Sequence, residues 1–286
     1  MSTRIHQILE QSGTVVFPGI YDALSAKLAQ EAGFELAFVS GFSVAATMLG
    51  EPDFGLLTQT EITDAARRIC RAVDIPIVVD ADTGYGNPLN VYRTVRELIE
   101  AGAVGCLLED QVWPKKCGHM RGKRVVERGE YIEKIRAADE ARRGHDFFLI
   151  ARTDALAVHG IDEAIARVEA ARTAGSDASF VEAPTSVELL AEIGRRSPGP
   201  NVANMIVGGR TPLKTKEELT ELGFQLIVHP VGGLFAATSA IRKVFGELAT
   251  TGDERGTAAE QVSFTEFTDI VGLEEKYAFA KRFGVE

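Results

Sequence analysis

Two stretches of the chain gather side chains that could do chemistry. In the first, Val78-Val79-Asp80-Ala81-Asp82-Thr83-Gly84-Tyr85-Gly86-Asn87, two carboxylates stand two residues apart. A strand continuing through Asp80 and Asp82 would turn both to one face, because side chains alternate along a strand. Hard oxygen ligands completed by water are what Mg2+ binds. An Asp-x-Asp pair alone is commoner in turns and helix caps. Glu109, closing the apolar run Cys106-Leu107-Leu108, offers a third carboxylate to the metal or to its waters. Three buried carboxylates repel one another unless a cation lies among them.

The second stretch runs from Trp113 to Arg128 and holds six Lys or Arg against one Glu, a local charge of +5 in a chain of −10. A solvated surface turn would account for the lysines. It would not account for Cys117 and His119 set among glycines. A thiol between Lys116 and His119 is expected to have its thiolate favoured by positive neighbours, which suits proton transfer or nucleophilic attack. Cys70, in a helical pattern, and Cys106, in an apolar run, read as core packing. Among the other histidines, His6 and His145 read as surface residues, His159 as a loop residue and His229 as a satisfied polar group in the core.

The elements that would position these groups follow from apolar runs at Val15-Phe17, Leu36-Ser40, Ile75-Asp80, Val104-Glu109, Phe147-Ala151, Ser179-Glu182, Val202-Met205 and Gln225-His229. Segments of helical period lie between most of them, such as Ala23 to Ala32, Thr60 to Val73, Asn90 to Ala101, Arg128 to Arg142, Ile161 to Ala174 and Lys216 to Leu222. The runs recur about every 30 residues, the size of one strand-helix repeat. Eight such repeats predict a closed (β/α)8 TIM barrel. An open doubly wound sheet fits less well, since no G-x-G-x-x-G follows the first run. Residues 1–248 are expected to form the barrel domain, and residues 249–286 a linker and helix free to pack on a partner. Because barrel enzymes work at the C-terminal ends of their strands, Ser40, Asp80, Asp82, Glu109, Asp110, Arg152, Asp154, Glu182, Asn204 and His229 take priority.

The 286 residues carry 41 acidic against 31 basic side chains, the wrong sign for a general nucleic-acid binder. Three scattered cysteines give neither a disulfide framework nor paired metal ligands, so a reducing compartment is expected. The longest uncharged stretch, Leu36 to Gly50, is shorter than the roughly 18 residues of a membrane span, and the first ten residues lack the apolar core of a signal peptide. These features predict a cytoplasmic protein with neither nucleic-acid nor membrane partners.

Taken in order, Ser40-Gly41-Phe42, Glu51-Pro52-Asp53, Asp80 to Asn87, Leu108-Glu-Asp-Gln111, Lys115-Lys-Cys-Gly-His119, Ala151-Arg-Thr-Asp154 and Val181-Glu-Ala183 resemble the isocitrate lyase and phosphoenolpyruvate mutase superfamily over nearly the whole chain. The resemblance implies a Mg2+-dependent barrel, with Mn2+ able to substitute, in which a 2-oxo or 2-hydroxy acid chelates the metal. It also implies homotetramers whose dimers exchange a C-terminal helix. Lys-Lys-Cys-Gly-His is similar to the lyase branch. Asn204-Met-Ile-Val-Gly-Gly-Arg-Thr-Pro212 departs from the Thr-Glu-Phe-Gly-like segment with which isocitrate and methylisocitrate lyases hold a third carboxylate. It is similar instead to the group of 2,3-dimethylmalate lyase, petal death protein and oxaloacetate hydrolase. Pro230 is similar to the dimethylmalate lyase side, where the hydrolases would have serine.

By this resemblance the reaction is cleavage of a substituted 2-hydroxy dicarboxylate to a 2-oxo acid and a carboxylic acid. Asp80 and Asp82 would hold the metal, with Glu109 through water, and backbone N–H groups of Ser40, Gly41 and Phe42 would hold the oxo acid, aided by Gly118, Glu182 and Asn204. Arg152, His119 and Lys116 would stabilise the charge that develops, and Cys117 would protonate the departing carbon. Asp53 or a metal-bound water would take the hydroxyl proton. The rival readings are carboxyvinyl-carboxyphosphonate phosphorylmutase, oxaloacetate hydrolase or decarboxylase, methylisocitrate lyase, and a non-catalytic oxo-acid binding barrel.

Overall fold

The computed structural model describes residues 2–285. All eight expected strands form: β1 Val15–Ile20, β2 Ala37–Val39, β3 Ile77–Asp80, β4 Gly105–Glu109, β5 Phe148–Thr153, β6 Ala178–Val181, β7 Val202–Asn204 and β8 Leu226–His229. They pair in parallel in the order β6-β5-β4-β3-β2-β1-β8-β7. A parallel bridge between Ser179 and Asn201 joins the two ends, so the sheet closes into the (β/α)8 barrel.

Period 2 along each strand sorts the core into two shells. Phe17, Phe38, Val78, Leu107, Ile150, Phe180, Val202 and Val228 share one buried cluster, the barrel interior. Val39, Val79, Cys106, Leu108, Leu149 and Ala151 belong to another, packed beneath the surrounding helices. Advancing two residues from an interior position stays on the same face. That step leads from Phe38 to Ser40, Val78 to Asp80, Leu107 to Glu109, Ile150 to Arg152, Phe180 to Glu182 and Val202 to Asn204. Six polar residues thereby reach the mouth of the barrel because the apolar interior runs out beneath them.

The helices between strands begin at side-chain caps. Asn87 accepts from Leu89 and Asn90 amides ahead of Pro88–Ala101, and Thr58 and Glu61 form a reciprocal capping box ahead of Gln59–Cys70, satisfying amides that a helix leaves open at its start. One helix that the apolar pattern did not announce, Arg4–Ser12, starts from the Thr3 cap and sends Ile5 into the interior cluster beside the starts of the strands. His6, expected at the surface, is half-buried. Its ring packs edge-on to Phe148 at 4.9 Å and stands 3.8 Å from Asp177. His229, expected in the core, is exposed.

The chain divides into two compact units, 1–232 and 233–286. The helix Gly232–Thr251, which the sequence reading placed with the barrel through residue 248, groups with the second unit. There it is followed by a 3-10 turn, Arg255–Glu260, and helices Phe264–Ile270 and Leu273–Arg282. None of these three α-helices contains a buried residue, and Phe245, Phe264, Tyr277, Phe279 and Phe283 are all largely exposed. No described helix is long and apolar enough to cross a membrane.

Candidate active site

β3 ends at Asp80, and Asp82 lies beyond it in the left-handed region, φ 47°. The expected continuous strand is thus replaced by a sharp turn, in which Asp82 N–H donates to Asp80 Oδ1 at 3.1 Å. The turn is bolted to β4, since Glu109 N–H donates to Asp82 O at 2.8 Å. Tyr85 supplies a further tie, its hydroxyl donating to Asp82 Oδ2 at 3.3 Å.

Lys115 Nζ reaches into this acidic group, 2.5 Å from Asp53 Oδ1 and 2.6 Å from Asp82 Oδ1. Burial disfavours its charge, but Asp82, Asp53, Asp80 and Glu109 more than offset that and hold its pKa well above the usual lysine range. Burial pushes Asp82 up to about 7, with Lys115 opposing and Asp80 and Asp53 adding to the rise. Glu109, wholly buried, is driven well above the carboxylate range by the same desolvation, only partly offset by Arg152. The lysine that the fold brings here is Lys115, not the expected Lys116. Lys116 Nζ turns to Gly122 O at 3.4 Å and stands 5.7 Å from the centre of the Phe54 ring.

Across the mouth, Arg152 Nε lies 3.0 Å from Asp154 Oδ2, 3.3 Å from Glu109 Oε2 and 3.9 Å from Glu182 Oε2. The guanidinium rests over the Phe180 ring. Beneath it, Asp110 accepts from Thr153 Oγ1 at 2.5 Å, from Asp154 N–H at 2.8 Å and from Arg167 at 3.0 Å, which fixes the end of β5. Asn204 Nδ2 donates to Glu182 at 3.3 Å. Burial raises the Glu182 carboxyl, but Arg152, followed by His119 and Lys123, brings it down to about 2, so it is ionised.

The basic loop lies over this assembly. Gln111 clamps the Lys116 backbone through both ends of its amide, at 2.7 and 3.0 Å, and Cys117 N–H donates to Asp53 O at 3.1 Å. Lys123 Nζ, also buried, joins Gly118 O and Asp154, each at 2.6 Å. Gly118 is needed for close approach: a Cβ there would stand 2.4 Å from Arg152 Nη2 and 2.4 Å from Glu182 Cγ. His119 Nε2 is 3.1 Å from Glu182 Oε1. The expectation of a favoured thiolate fails. Burial pushes the Cys117 thiol up to about 11, outweighing Arg152 and the His119 amide. Cys117 is therefore a protonated thiol at neutral pH, suited to giving a proton. Trp113, at the start of the loop, packs on Tyr85 with ring centres 5.7 Å apart.

The oxo-acid cradle also differs in detail from expectation. Ser40 N–H is spent on Ile20 O at 3.0 Å, and Gly41 N–H points to Asp80 Oδ2 at 3.3 Å. Phe42 follows them in the short helix Gly41–Val44, which Ser40 caps through Ser43 N–H. Ser40 is thus a cap rather than a free donor.

Among the described residues, no three His, Cys, Asp or Glu side chains close into a ready-made metal cage. The donor set nonetheless fits a hard divalent cation that keeps several waters. Glu109 Oε1 is buried with neither a hydrogen bond nor an ion pair, while Glu109 Oε2 and Asp82 Oδ1 meet only the cations Arg152 and Lys115, and an orphaned buried carboxylate oxygen is costly unless a cation or ordered water meets it.

Residues 5–249 match the phosphoenolpyruvate phosphomutase family. The chain is a member of the phosphoenolpyruvate mutase and isocitrate lyase superfamily. Within the superfamily it is 50% identical to the chloroplastic carboxyvinyl-carboxyphosphonate phosphorylmutase of Arabidopsis thaliana, over 99% of this chain and 85% of that protein. It is 42% identical to the 2,3-dimethylmalate lyase of Eubacterium barkeri, over 96% and 95%. A structure of oxaloacetate acetylhydrolase with 3,3-difluorooxalacetate superposes with a TM-score of 0.93 at 36% identity, covering 99% of this chain and 97% of that one. A structure of phosphonopyruvate hydrolase in complex with oxalate and Mg++ superposes with a TM-score of 0.86 at 30% identity, covering 96% of each chain.

Asp53, Asp80, Asp82, Glu109, Arg152, Cys117, Gly118, His119, Glu182 and Asn204 belong to one connected set at the mouth. Reading strand ends singled out Asp154 and Asp110 but gave neither a role. Lys115 and Lys123 were passed over as ordinary loop charge. Their signal was the acidic surplus at the strand ends, which needs buried cations to balance it.

Proposed function

We propose that this superfamily member is a Mg2+-dependent carbon-carbon lyase that cleaves a substituted 2-hydroxy dicarboxylate, of the 2,3-dimethylmalate type, to a 2-oxo acid and a carboxylic acid. The observation that carries the reading is the seat of Cys117: its N–H is tied to Asp53 O at 3.1 Å and its neighbour Gly118 packs against Arg152 and Glu182, beside Glu109, whose buried Oε1 meets neither a hydrogen bond nor an ion pair. Asp80 and Asp82, with Glu109 through water, would hold the metal, which would supply Lewis-acid stabilisation of negative charge on the C2 oxygen. Mn2+ is expected to substitute for it.

The chain's own residues do the rest. The C2 hydroxyl loses its proton, the C2–C3 bond breaks, C2 becomes a carbonyl, and the electron pair passes to C3 and its carboxylate as an enolate. Arg152 is placed to meet developing oxygen charge, a role that a fixed cation in a water-poor site performs well. Cys117 Sγ–H then gives its proton to C3, which completes the carboxylic acid product and leaves a thiolate to be reprotonated. Asp53, paired with Lys115 at 2.5 Å, would accept the hydroxyl proton. Lys115 balances the acidic group and steadies Asp53 and Asp82, and His119 positions the loop against Glu182.

Carbon protonation by the thiol supports the lyase reading, and the phosphorylmutase stays as the rival reading. The second unit's exposed aromatic helices support assembly with further copies of the chain, a homotetramer in this proposal, and a cytoplasmic location is part of the same reading. The test is a screen of 2-hydroxy dicarboxylates with detection of the 2-oxo acid formed. C2- or C3-substituted malates are expected to be cleaved, and methylisocitrate to be poor by at least tenfold in kcat/KM, since a missing partner for a buried charge is costly. Chelation should abolish turnover and Mg2+ or Mn2+ restore it. Preference for methylisocitrate, or conversion of carboxyphosphonoenolpyruvate without any lyase activity, would overturn the assignment.

A further inference from the structure

Two tight turns from distant parts of the chain meet above the barrel. One, in the basic loop, is closed by Met120 N–H donating to Cys117 O at 2.8 Å. The other follows β7 and is closed by Gly209 N–H donating to Ile206 O at 2.9 Å. A single hydrogen bond joins them: the backbone N–H of Arg210 donates to His119 Nδ1 at 2.9 Å, across 91 residues of sequence.

That bond determines where the proton of a neutral His119 ring sits. A nitrogen that accepts from an amide carries no proton of its own, so the proton lies on Nε2. Nε2 faces Glu182 Oε1 at 3.1 Å, off the line of an aligned hydrogen bond. The ring is also held sterically. A Cβ added at Gly209 would stand 2.8 Å from His119 Nδ1, 2.9 Å from Cε1 and 3.0 Å from Ile206 Cβ. Gly209 does not adopt a left-handed φ, so its backbone would accept alanine, and the closest obstacle to one is the ring, with Ile206 Cβ next.

We infer that Gly209 and the amide of Arg210 are positioning elements: they seat the His119 ring in its Nε2–H tautomer against Glu182 and thereby fix the loop that carries Cys117. The segment departing from the third-carboxylate pattern of isocitrate and methylisocitrate lyases then acts here through its backbone, as the seat of the catalytic loop. The catalytic purpose of the seat rests on the lyase reading above, whereas the seat itself is read without any turnover.

The test is nitrogen NMR of the full chain with 15N-labelled histidine, His119 being assigned by the signal lost in His119→Asn. The wild-type ring should show an unprotonated, hydrogen-bonded Nδ1 and a protonated Nε2. Arg210→Ala keeps the amide and should keep that signature. Arg210→Pro deletes the amide and Gly209→Ala blocks the ring, and both should lose the signature. Trypsin should then cut after Arg121 about fivefold faster, the scale of one hydrogen bond holding a loop closed. A wild-type Nδ1–H tautomer, a signature lost in Arg210→Ala, or one unchanged in Gly209→Ala would overturn the inference. Should the proline and alanine variants fail to fold, the wild-type and Arg210→Ala spectra still decide it. Absent lyase activity with the expected spectra would sink the lyase reading and leave the seat standing.

Discussion

Arg142 and Arg152 stand at opposite ends of β5, and the two sites show what separates a structural ion network from a chemical one. Arg142, at the start of the strand, is saturated. It donates to Phe147 O at 2.8 Å, to Gly175 O at 2.5 Å and to Asp139 at 3.1 Å, and it pairs with Asp177. Asp177 in turn accepts from Leu149 N–H at 2.8 Å. The network ties the approaches to β5 and β6 to the helix Arg128–Ala141, and every carboxylate oxygen that Arg142 meets there is hydrogen-bonded. Arg152, at the end of the strand, sits among Glu109, Asp154 and Glu182, yet both oxygens of Glu109 and Oδ1 of Asn204 remain buried without a hydrogen bond. Native interiors satisfy nearly all such groups. A cluster that fails to do so is built around something it binds.

The comparison can be broken at the mouth first. Cys117→Ser should lower kcat by roughly 100-fold to 10,000-fold, the usual worth of a placed proton donor, while oxalate or pyruvate binding in a calorimetric titration stays close to wild type. A serine variant turning over at the wild-type rate would remove Cys117 from the mechanism. At neutral pH the thiol itself should react slowly with iodoacetamide, because burial holds it up to about 11.

Next in size is Glu109→Gln. If its orphaned oxygens face metal-bound water, the change should weaken Mg2+ by about 10- to 100-fold, as loss of an outer-shell partner does, and thermal stability without metal should be unchanged or improved because a strained buried charge is gone. A fall in metal-free stability would make Glu109 structural instead.

Arg142→Ala should act in the opposite sense. It leaves the half-buried Asp177 with only Leu149 N–H and His6 and should cost about 2 kcal/mol of stability in urea unfolding, with kcat/KM of the folded enzyme unaltered. An altered kcat/KM with normal stability would erase the distinction between the two ends of the barrel.

The smallest effect is in acid. Glu182 is lowered from 4.5 to about 2, so the stability it contributes is present in full above 4.5 and is lost as pH falls from there towards 2. The urea midpoint of the wild type should therefore drop more between pH 5 and pH 3 than that of Glu182→Gln. Equal drops would show that Glu182 is not held ionised by Arg152 and His119.

The barrel was legible because its signal is local and repeated. A strand exposes alternate faces, so an apolar interior residue two positions before a polar one marks the mouth at Asp80, Glu109, Arg152, Glu182 and Asn204 without any knowledge of their neighbours. The helix Arg4–Ser12 escaped the same reading, since Ile5 alone of its residues is buried and one apolar anchor leaves no stripe to detect. The loop from Trp113 to Arg124 was recognisable as chemical by composition, but its individual assignments were not.

The list of reactive groups and the strand ends that carry them can be read along the chain, because backbone periodicity and turn chemistry act between neighbours. Tertiary structure alone decided the state of those groups. It chose Lys115 over Lys116 for the carboxylates, turned Asp82 out of the strand, kept the Cys117 thiol protonated and set the His119 ring against an amide 91 residues away. Each of these depends on how much water is excluded and which distant charge or amide fills the space. Desolvation and long-range contact appear only once the chain has closed on itself.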